Sequence, residues 1–94
     1  MLDAVLLAAP DLRGALAPLG ASGIAVFGSV ARREEQAGSD VDLLVDLDSN
    51  VGLFSLLRMR RIAEQILSRP VDLVPREGLK PDVADRVLRE AISL

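Results

Sequence analysis

The chain has 94 residues, half of them hydrophobic, and a formal net charge of −3. It contains no Cys and no His, which excludes disulfides, thiolate chemistry, a His general base and the usual zinc sites. With two Phe, no Trp or Tyr and an acidic balance, it lacks the aromatic platforms and basic surface typical of nucleic-acid binding. Only carboxylates remain as metal ligands, and these favour hard cations such as Mg²⁺ or Mn²⁺.

We expect residues 1–94 to form one small domain. Neither a signal peptide nor a run of about eighteen apolar residues is present, so we expect a cytoplasmic chain with no membrane association. Helices are predicted before Pro10, then at about 10–19, 30–36, 53–68 and 81–92. Strands are predicted at 24–27, about 40–47 and 71–74, with a turn at 21–23.

Two carboxylates, Asp40 and Asp42, stand two residues apart on the second predicted strand. Side chains alternate along a strand, so both leave the same face, while Val41 and Leu43 leave the other. Like charges side by side on a sheet repel one another. We therefore expect a cation or a proton to offset the repulsion.

Gly28 and Ser29 end the first predicted strand and begin a short helix. Free backbone N–H groups, a hydroxyl and a helix start together suit a phosphate group. Carboxylates for a divalent ion beside donors for a phosphate predict a site for a metal-bound nucleoside triphosphate.

The third predicted strand carries Asp72 as its second residue. A right-handed crossover makes this strand parallel to the second, so Asp40, Asp42 and Asp72 should meet at one end of the sheet. Gly28 and Ser29 reach that end only if the first strand is antiparallel to the second. The predicted fold is α+β: a small mixed three-stranded sheet covered by helices, in the order α-β-α-β-α-β-α.

Simpler interpretations exist for each feature. The Asp40–Asp42 pair alone also fits an exposed strand edge, and Ser29 also fits a plain helix N-cap. Arg32 fits either a phosphate contact or a solvated turn. Asp46 and Asp48 continue the alternation but lie towards the far end of the strand, where solvated or capping roles are expected.

The spacing of these residues resembles a known family. Gly28–Ser29, ten intervening residues and then Asp40–Val41–Asp42 resemble the signature of the DNA polymerase β-type nucleotidyltransferases. The Phe-Gly-Ser-Val-Ala-Arg run at 27–32 and the tail from Val71 are similar to the minimal nucleotidyltransferases, or MNT domains. The resemblance covers nearly the whole chain. Arg33 departs from the pattern, since relatives often have Gly after the Arg.

The resemblance implies a role for each matching residue. Asp40, Asp42 and Asp72 match the metal-binding carboxylates, and Asp72 would also activate the attacking hydroxyl. Gly28 and Ser29 match the triphosphate-binding pair, and Arg32 matches an Arg that touches nucleotide phosphate.

The resemblance also implies an activity. MNT proteins are commonly antitoxins that transfer AMP from ATP to a Tyr of an all-helical HEPN toxin, in a hetero-oligomer with it. Two alternatives stay open: neutralisation by binding alone, and nucleotidyl transfer to a small molecule.

Overall fold

The computed structural model describes residues 1–94. Its helices are α1 (Leu2–Leu7), α2 (Ala9–Leu16), α3 (Gly28–Ala31), α4 (Leu53–Leu67) and α5 (Pro81–Glu90). Its strands are β1 (Ala21–Phe27), β2 (Val41–Leu47), β3 (Val71–Pro75) and β4 (Ile92–Ser93). Short 3₁₀ turns at Ala17–Leu19 and Arg76–Gly78 follow α2 and β3.

The strands form one mixed sheet in the order β3-β2-β1-β4. β1 is antiparallel to β2, and β2 is parallel to β3, as the crossover argument predicts. The α+β class and the mixed sheet are confirmed, but the prediction of three strands is wrong. The parallel pair places the starts of β2 and β3 side by side, next to the end of β1.

The fourth strand arises because α5 ends earlier than predicted. The helix stops at Glu90, and Ala91 has extended backbone angles (φ −65°, ψ 136°). Ile92 and Ser93 then pair with Val26 and Ala25 of β1, antiparallel. Ile92 therefore belongs to the sheet and not to the last helix, which was predicted to extend to residue 92.

Each face of the sheet has its own apolar cluster. The larger one contains Val41, Leu43 and Val45 of β2, together with buried residues of α1, α2 and α4. The smaller one contains Leu44 of β2 and Val87 of α5. The alternation of side chains along β2 thus assigns each residue to one face of the sheet. The odd-numbered residues lie on the face covered by α1, α2 and α4. Asp42, Leu44 and Asp46 lie on the opposite face, on which α5 packs.

Other element boundaries also differ from the prediction. The expected turn at 21–23 is the start of β1, where a register irregularity between Ala21 and Gly23 accommodates the small residues. α3 is a single turn that ends at Ala31, because Arg33 takes a left-handed conformation with φ 58°. Asp40 lies just before β2 instead of within it.

The helices α4 and α5 bury fewer of their apolar residues than their patterns predict. Leu53 is 67% exposed and Leu88 is 44% exposed, whereas Met59 is fully buried. None of the helices combines the length and the apolar character needed to cross a bilayer.

Candidate active site

The parallel register of β2 and β3 places Asp42 directly opposite Asp72. Residues paired in this way point to the same face of a sheet, so the two carboxylates leave side by side. Asp42 is partly buried, and Asp72 is exposed at the sheet edge. Asp40, two residues before Asp42, is exposed as well. The pairing of β2 with β3 thus brings these carboxylates to one end of the sheet, as the sequence predicts.

The electrostatic environment of Asp42 shows that all three carboxylates are close. Burial raises the pKa of the Asp42 carboxyl above its usual range, and the negative charges of Asp72 and Asp40 raise it further. Arg32 opposes this effect, while Glu90 adds to it. A site that disfavours its own negative charge in this way favours a bound cation.

Gly28 brings the strand–helix turn against Asp42. Phe27, the last residue of β1, pairs with Asp42, and Gly28 follows with φ 73°. A Cβ at position 28 would overlap Oδ2 of Asp42. Only glycine meets both requirements, a left-handed backbone and close approach to a carboxylate. The Gly28–Ser29 turn therefore begins in contact with Asp42, one of the three site carboxylates.

Ser29 is the second residue of α3, half-buried, and not its N-cap. The N-cap position is Phe27, and no side chain caps the helix. The simpler interpretation of Ser29 as an N-cap is therefore wrong. Ser39 does serve a local role, because its Oγ accepts a hydrogen bond from the Gln36 N–H at 2.9 Å in the link before β2.

Arg32, at the end of α3, is held between two carboxylates. Its Nε donates to Glu34 at 3.0 Å, and its Nη1 donates to Glu90 of α5 at 2.5 Å. Both contacts raise the pKa of the guanidinium, which stays charged. Arg33 turns away and pairs with Asp3 of α1 at 2.9 Å. Arg32 is thus the cation that faces the carboxylate group.

The acidic side chains do not form a closed metal cluster. No three of them are arranged to hold a cation by protein ligands alone. Oxygen donors at Asp40, Asp42 and Asp72, with a raised pKa at Asp42, nevertheless fit a hard cation that takes its remaining ligands from substrate phosphates and water. The oxygen donors are of the kind that Mg²⁺ or Mn²⁺ prefers, but the chain alone does not complete the coordination of such an ion.

Two groups of charged residues near the sheet were missed from the sequence. Arg86, Arg89 and Glu90 of α5 line a cleft with Arg32. Their spacing of i, i+3 and i+4 on one helix face is a signal that could have found them. Asp46, expected to be solvated, instead forms an ion pair with Arg76, away from the site at the other end of β2.

The fold and this constellation match known proteins. A family model described as nucleotidyltransferase domain matches residues 12–94. The protein adenylyltransferase MntA of Thermococcus cleftensis is 41% identical over 69 residues, which cover 73% of this chain and 70% of that protein. A Methanocaldococcus jannaschii protein, provisionally named a protein adenylyltransferase, is 35% identical over 69 residues, which cover 73% and 74%. The chain therefore belongs to the nucleotidyltransferase domain family and is an enzyme of that class.

Solved structures agree with this assignment. One, provisionally described as a minimal nucleotidyltransferase, superposes with a TM-score of 0.88 at 38% identity and covers 99% of this chain and 95% of its own. A toxin–antitoxin crystal structure with AMP-PNP superposes with a TM-score of 0.74 at 17% identity, covering 98% and 70%. The second likeness shows a shared fold.

Proposed function

We propose that this chain transfers AMP from ATP to a tyrosine hydroxyl of a partner HEPN-type toxin and so acts as its antitoxin. The observation that carries the proposal is the pairing of Asp42 with Asp72, with Gly28 packed against Asp42. The names of the relatives support the protein acceptor, and the toxin–antitoxin neighbours support the partner. The chain has no Tyr, so its acceptor is another molecule.

In this proposal, Asp40, Asp42 and Asp72 hold Mg²⁺ or Mn²⁺. When bound, the ion supplies charge neutralisation at the phosphates and at the acceptor oxygen. The backbone N–H groups at Gly28–Ser29, the Ser29 hydroxyl and the Arg32 guanidinium bind and orient the triphosphate. Nucleotidyl transfer depends on such positioning more than on a covalent nucleophile, so the lack of Cys and His is compatible with it.

Asp72 is the proposed proton acceptor. The tyrosine oxygen forms a bond to the α-phosphorus, the bond from that phosphorus to the bridging oxygen breaks, and pyrophosphate leaves. The hydroxyl proton passes to the Asp72 carboxylate. Asp72 is exposed at the sheet edge, where a bulky protein acceptor can reach it, whereas Asp42 lies deeper.

The test uses ATP labelled on either the α- or the γ-phosphorus, with Mg²⁺ and the proposed HEPN-type toxin. We expect label from α-labelled ATP on the toxin, and none from γ-labelled ATP. Asp42→Asn should abolish labelling. Asp46→Asn is the matched control, because Asp46 lies on the same strand and face but pairs with Arg76 at the far end.

The proposal is wrong if γ-label appears on the toxin, or if Asp42→Asn labels as well as the unaltered chain. Labelling that survives replacement of the toxin's tyrosines by Phe would overturn the tyrosine acceptor alone.

Neutralisation by binding alone is a second candidate, favoured by unpartnered apolar side chains on α4. Phe54 is 87% exposed, and its neighbour Leu53 is also largely exposed. Such side chains suit a protein partner. Growth rescue against the toxin by the Asp40→Asn/Asp42→Asn variant would favour this candidate, and loss of rescue would favour catalysis.

A further inference from the structure

The helix α5 presents two different faces. Val83, Val87 and Ala91 pack toward the sheet with the smaller apolar cluster. Arg86, Arg89 and Glu90 line a cleft that they share with Arg32 at the end of α3. Their i, i+3 and i+4 spacing places them together on the surface of the helix. The core packing of α5 therefore fixes the position of this charged face beside α3.

The cleft is polar and carries excess positive charge. Its volume is about 570 Å³, and its lining is Arg32, Arg86, Arg89 and Glu90, with no hydrophobic residue. Glu90 is engaged by Arg32, whereas Arg86 and Arg89 form no ion pair with any carboxylate of the chain. In a chain with a net charge of −3, this concentration of guanidinium groups is local. It suits a small polyanion, because guanidinium groups bind phosphate oxygens in bidentate fashion.

The cleft adjoins the carboxylate site. Arg32 lies four residues after Gly28, which belongs to the turn proposed to bind phosphate, and the Arg32 backbone N–H donates to Gly28 O at 3.1 Å. The charges of both Arg32 and Glu90 act on Asp42. A phosphate chain bound at the Gly28–Ser29 turn is therefore connected to this basic cleft through Arg32.

We propose that Arg86 and Arg89 bind the β- and γ-phosphates of the nucleoside triphosphate, and that these phosphates displace Glu90 from Arg32. The inference rests on the proposed function only in taking a nucleoside triphosphate as the substrate. Glu90 is the carboxylate that occupies Arg32 until these phosphates displace it. The two arginines make affinity depend on the pyrophosphoryl part, so the chain should prefer ATP and pyrophosphate to AMP.

The simpler role for Arg89 is helix stabilisation, since a basic side chain in the last turn of a helix interacts favourably with its dipole. That role changes the unfolding temperature but not ligand preference. A binding measurement therefore separates the two.

The experiment is calorimetric titration of the folded chain with ATP, inorganic pyrophosphate and AMP, each with Mg²⁺ at about physiological salt. The Arg86→Gln/Arg89→Gln variant should bind ATP and pyrophosphate about tenfold or more weakly, since hydrogen bonds to charged groups contribute that much. AMP affinity should not change. The matched control, Arg58→Gln/Arg60→Gln on α4, removes the same charge from exposed residues outside the cleft and should bind all three ligands normally.

A second variant, Glu90→Gln, tests the displacement. It removes the carboxylate that competes for Arg32, so pyrophosphate should bind more tightly. Unfolding temperatures identify variants that do not fold. If the double arginine variant is one of them, the ligand affinities of Glu90→Gln and of the single Arg86→Gln variant test the inference instead. The inference is overturned if the arginine variants lose as much affinity for AMP as for ATP, or if the α4 control loses as much affinity as they do. It is also overturned if the arginine variants bind pyrophosphate with unchanged affinity, or if Glu90→Gln binds pyrophosphate more weakly.

Failure of this inference is distinct from failure of the proposed function. If the toxin takes up no label while pyrophosphate and ATP still bind through Arg86 and Arg89, the proposed function is wrong and the inference stands. If the double variant labels the toxin with an unchanged KM for ATP, the inference is wrong and the proposed function stands.

Discussion

Gly28 and Asp42 approach so closely that no side chain fits between them. A Cβ at position 28 would overlap Oδ2 of Asp42 and lie 3.1 Å from its Cγ. The contact joins the end of β1 to the start of β2, whose residues Phe27 and Asp42 are paired. The turn proposed to bind phosphate and the deepest carboxylate of the site are therefore one structural unit.

Gly28→Ala should impair both folding and transfer. The left-handed backbone at φ 73° costs about 1–3 kcal/mol for a residue with a Cβ, and the overlap forces Asp42 to move. We expect a lower unfolding temperature and loss of AMP transfer. Thermal unfolding and the labelling assay measure these two effects on the same preparation.

Two other glycines separate the causes. Gly38 has φ 85° with open space around it, so Gly38→Ala should lower stability but spare transfer. Gly14 lies in α2 with nothing near it, so Gly14→Ala should stabilise the chain by about 0.5–1 kcal/mol. Full transfer activity in Gly28→Ala would contradict the proposed role of the contact.

Asp42→Asn should stabilise the protein at neutral pH while it removes activity. Burial and the neighbouring carboxylates raise the pKa of Asp42 in the folded state. Between the unfolded and folded pKa values, only the folded state keeps the proton, so stability falls as pH rises through that window and stays lowered above it. Asparagine carries no charge and avoids this cost.

The pH dependence provides the check. The unfolding temperature of Asp42→Asn should exceed that of the unaltered chain at pH 7, and the difference should vanish in acid below the ordinary Asp pKa, where both side chains are neutral. A variant that is less stable at pH 7 would show that Asp42 makes favourable contacts that outweigh its repulsions.

Divalent ions should stabilise the chain through the same carboxylates. A ligand that binds only the folded state raises stability in proportion to the logarithm of its concentration, so added Mg²⁺ should raise the unfolding temperature. Asp72→Asn should weaken the effect, and Asp46→Asn should not, because Asp46 is held by Arg76. An equal Mg²⁺ response in both variants would place the ion elsewhere.

The placement of the carboxylates on the sheet could be predicted because its determinants are local and periodic. Asp42 lies between Val41 and Leu43, which fixes the strand and its faces. The helical crossover from β2 through α4 to β3 then fixes the parallel direction that pairs Asp42 with Asp72. No alternation of apolar and polar residues predicts β4. Ile92 continues the apolar spacing of α5, and only pairing with Val26 makes it a strand.

Other misses have the same origin in tertiary contacts. Residues 21–23 are small residues of the kind common in turns, yet they belong to β1 because they pair with β2. Arg33 adopts φ 58°, a conformation that its residue type does not predict, and α3 ends after one turn. The cleft between α3 and α5 depends on how two distant elements pack, and no local pattern shows that.

Met59 should be the most sensitive position of α4. It is fully buried in the larger apolar cluster, and Met59→Ala should cost about 2–5 kcal/mol through lost burial and the cavity left behind. Phe54→Ala, on the same helix but exposed, should leave stability within about 0.5 kcal/mol. Denaturant unfolding of both variants measures the contrast, and similar losses in the two would contradict the burial assignment.

Ser68→Gly should stabilise the chain. Ser68 ends α4 with φ 55° and is exposed, so it carries the cost of a left-handed conformation without a buried contact to offset it. Glycine removes that cost, about 1 kcal/mol, although its greater freedom in the unfolded chain offsets part of the gain. Gln65→Gly, one turn earlier on the exposed helix surface, should instead destabilise by about 0.5–1 kcal/mol. If the two glycine substitutions shift the unfolding temperature in opposite directions, the backbone conformation, and not the lost side chain, determines the effect. If both substitutions lower the unfolding temperature, Ser68 is not strained in solution.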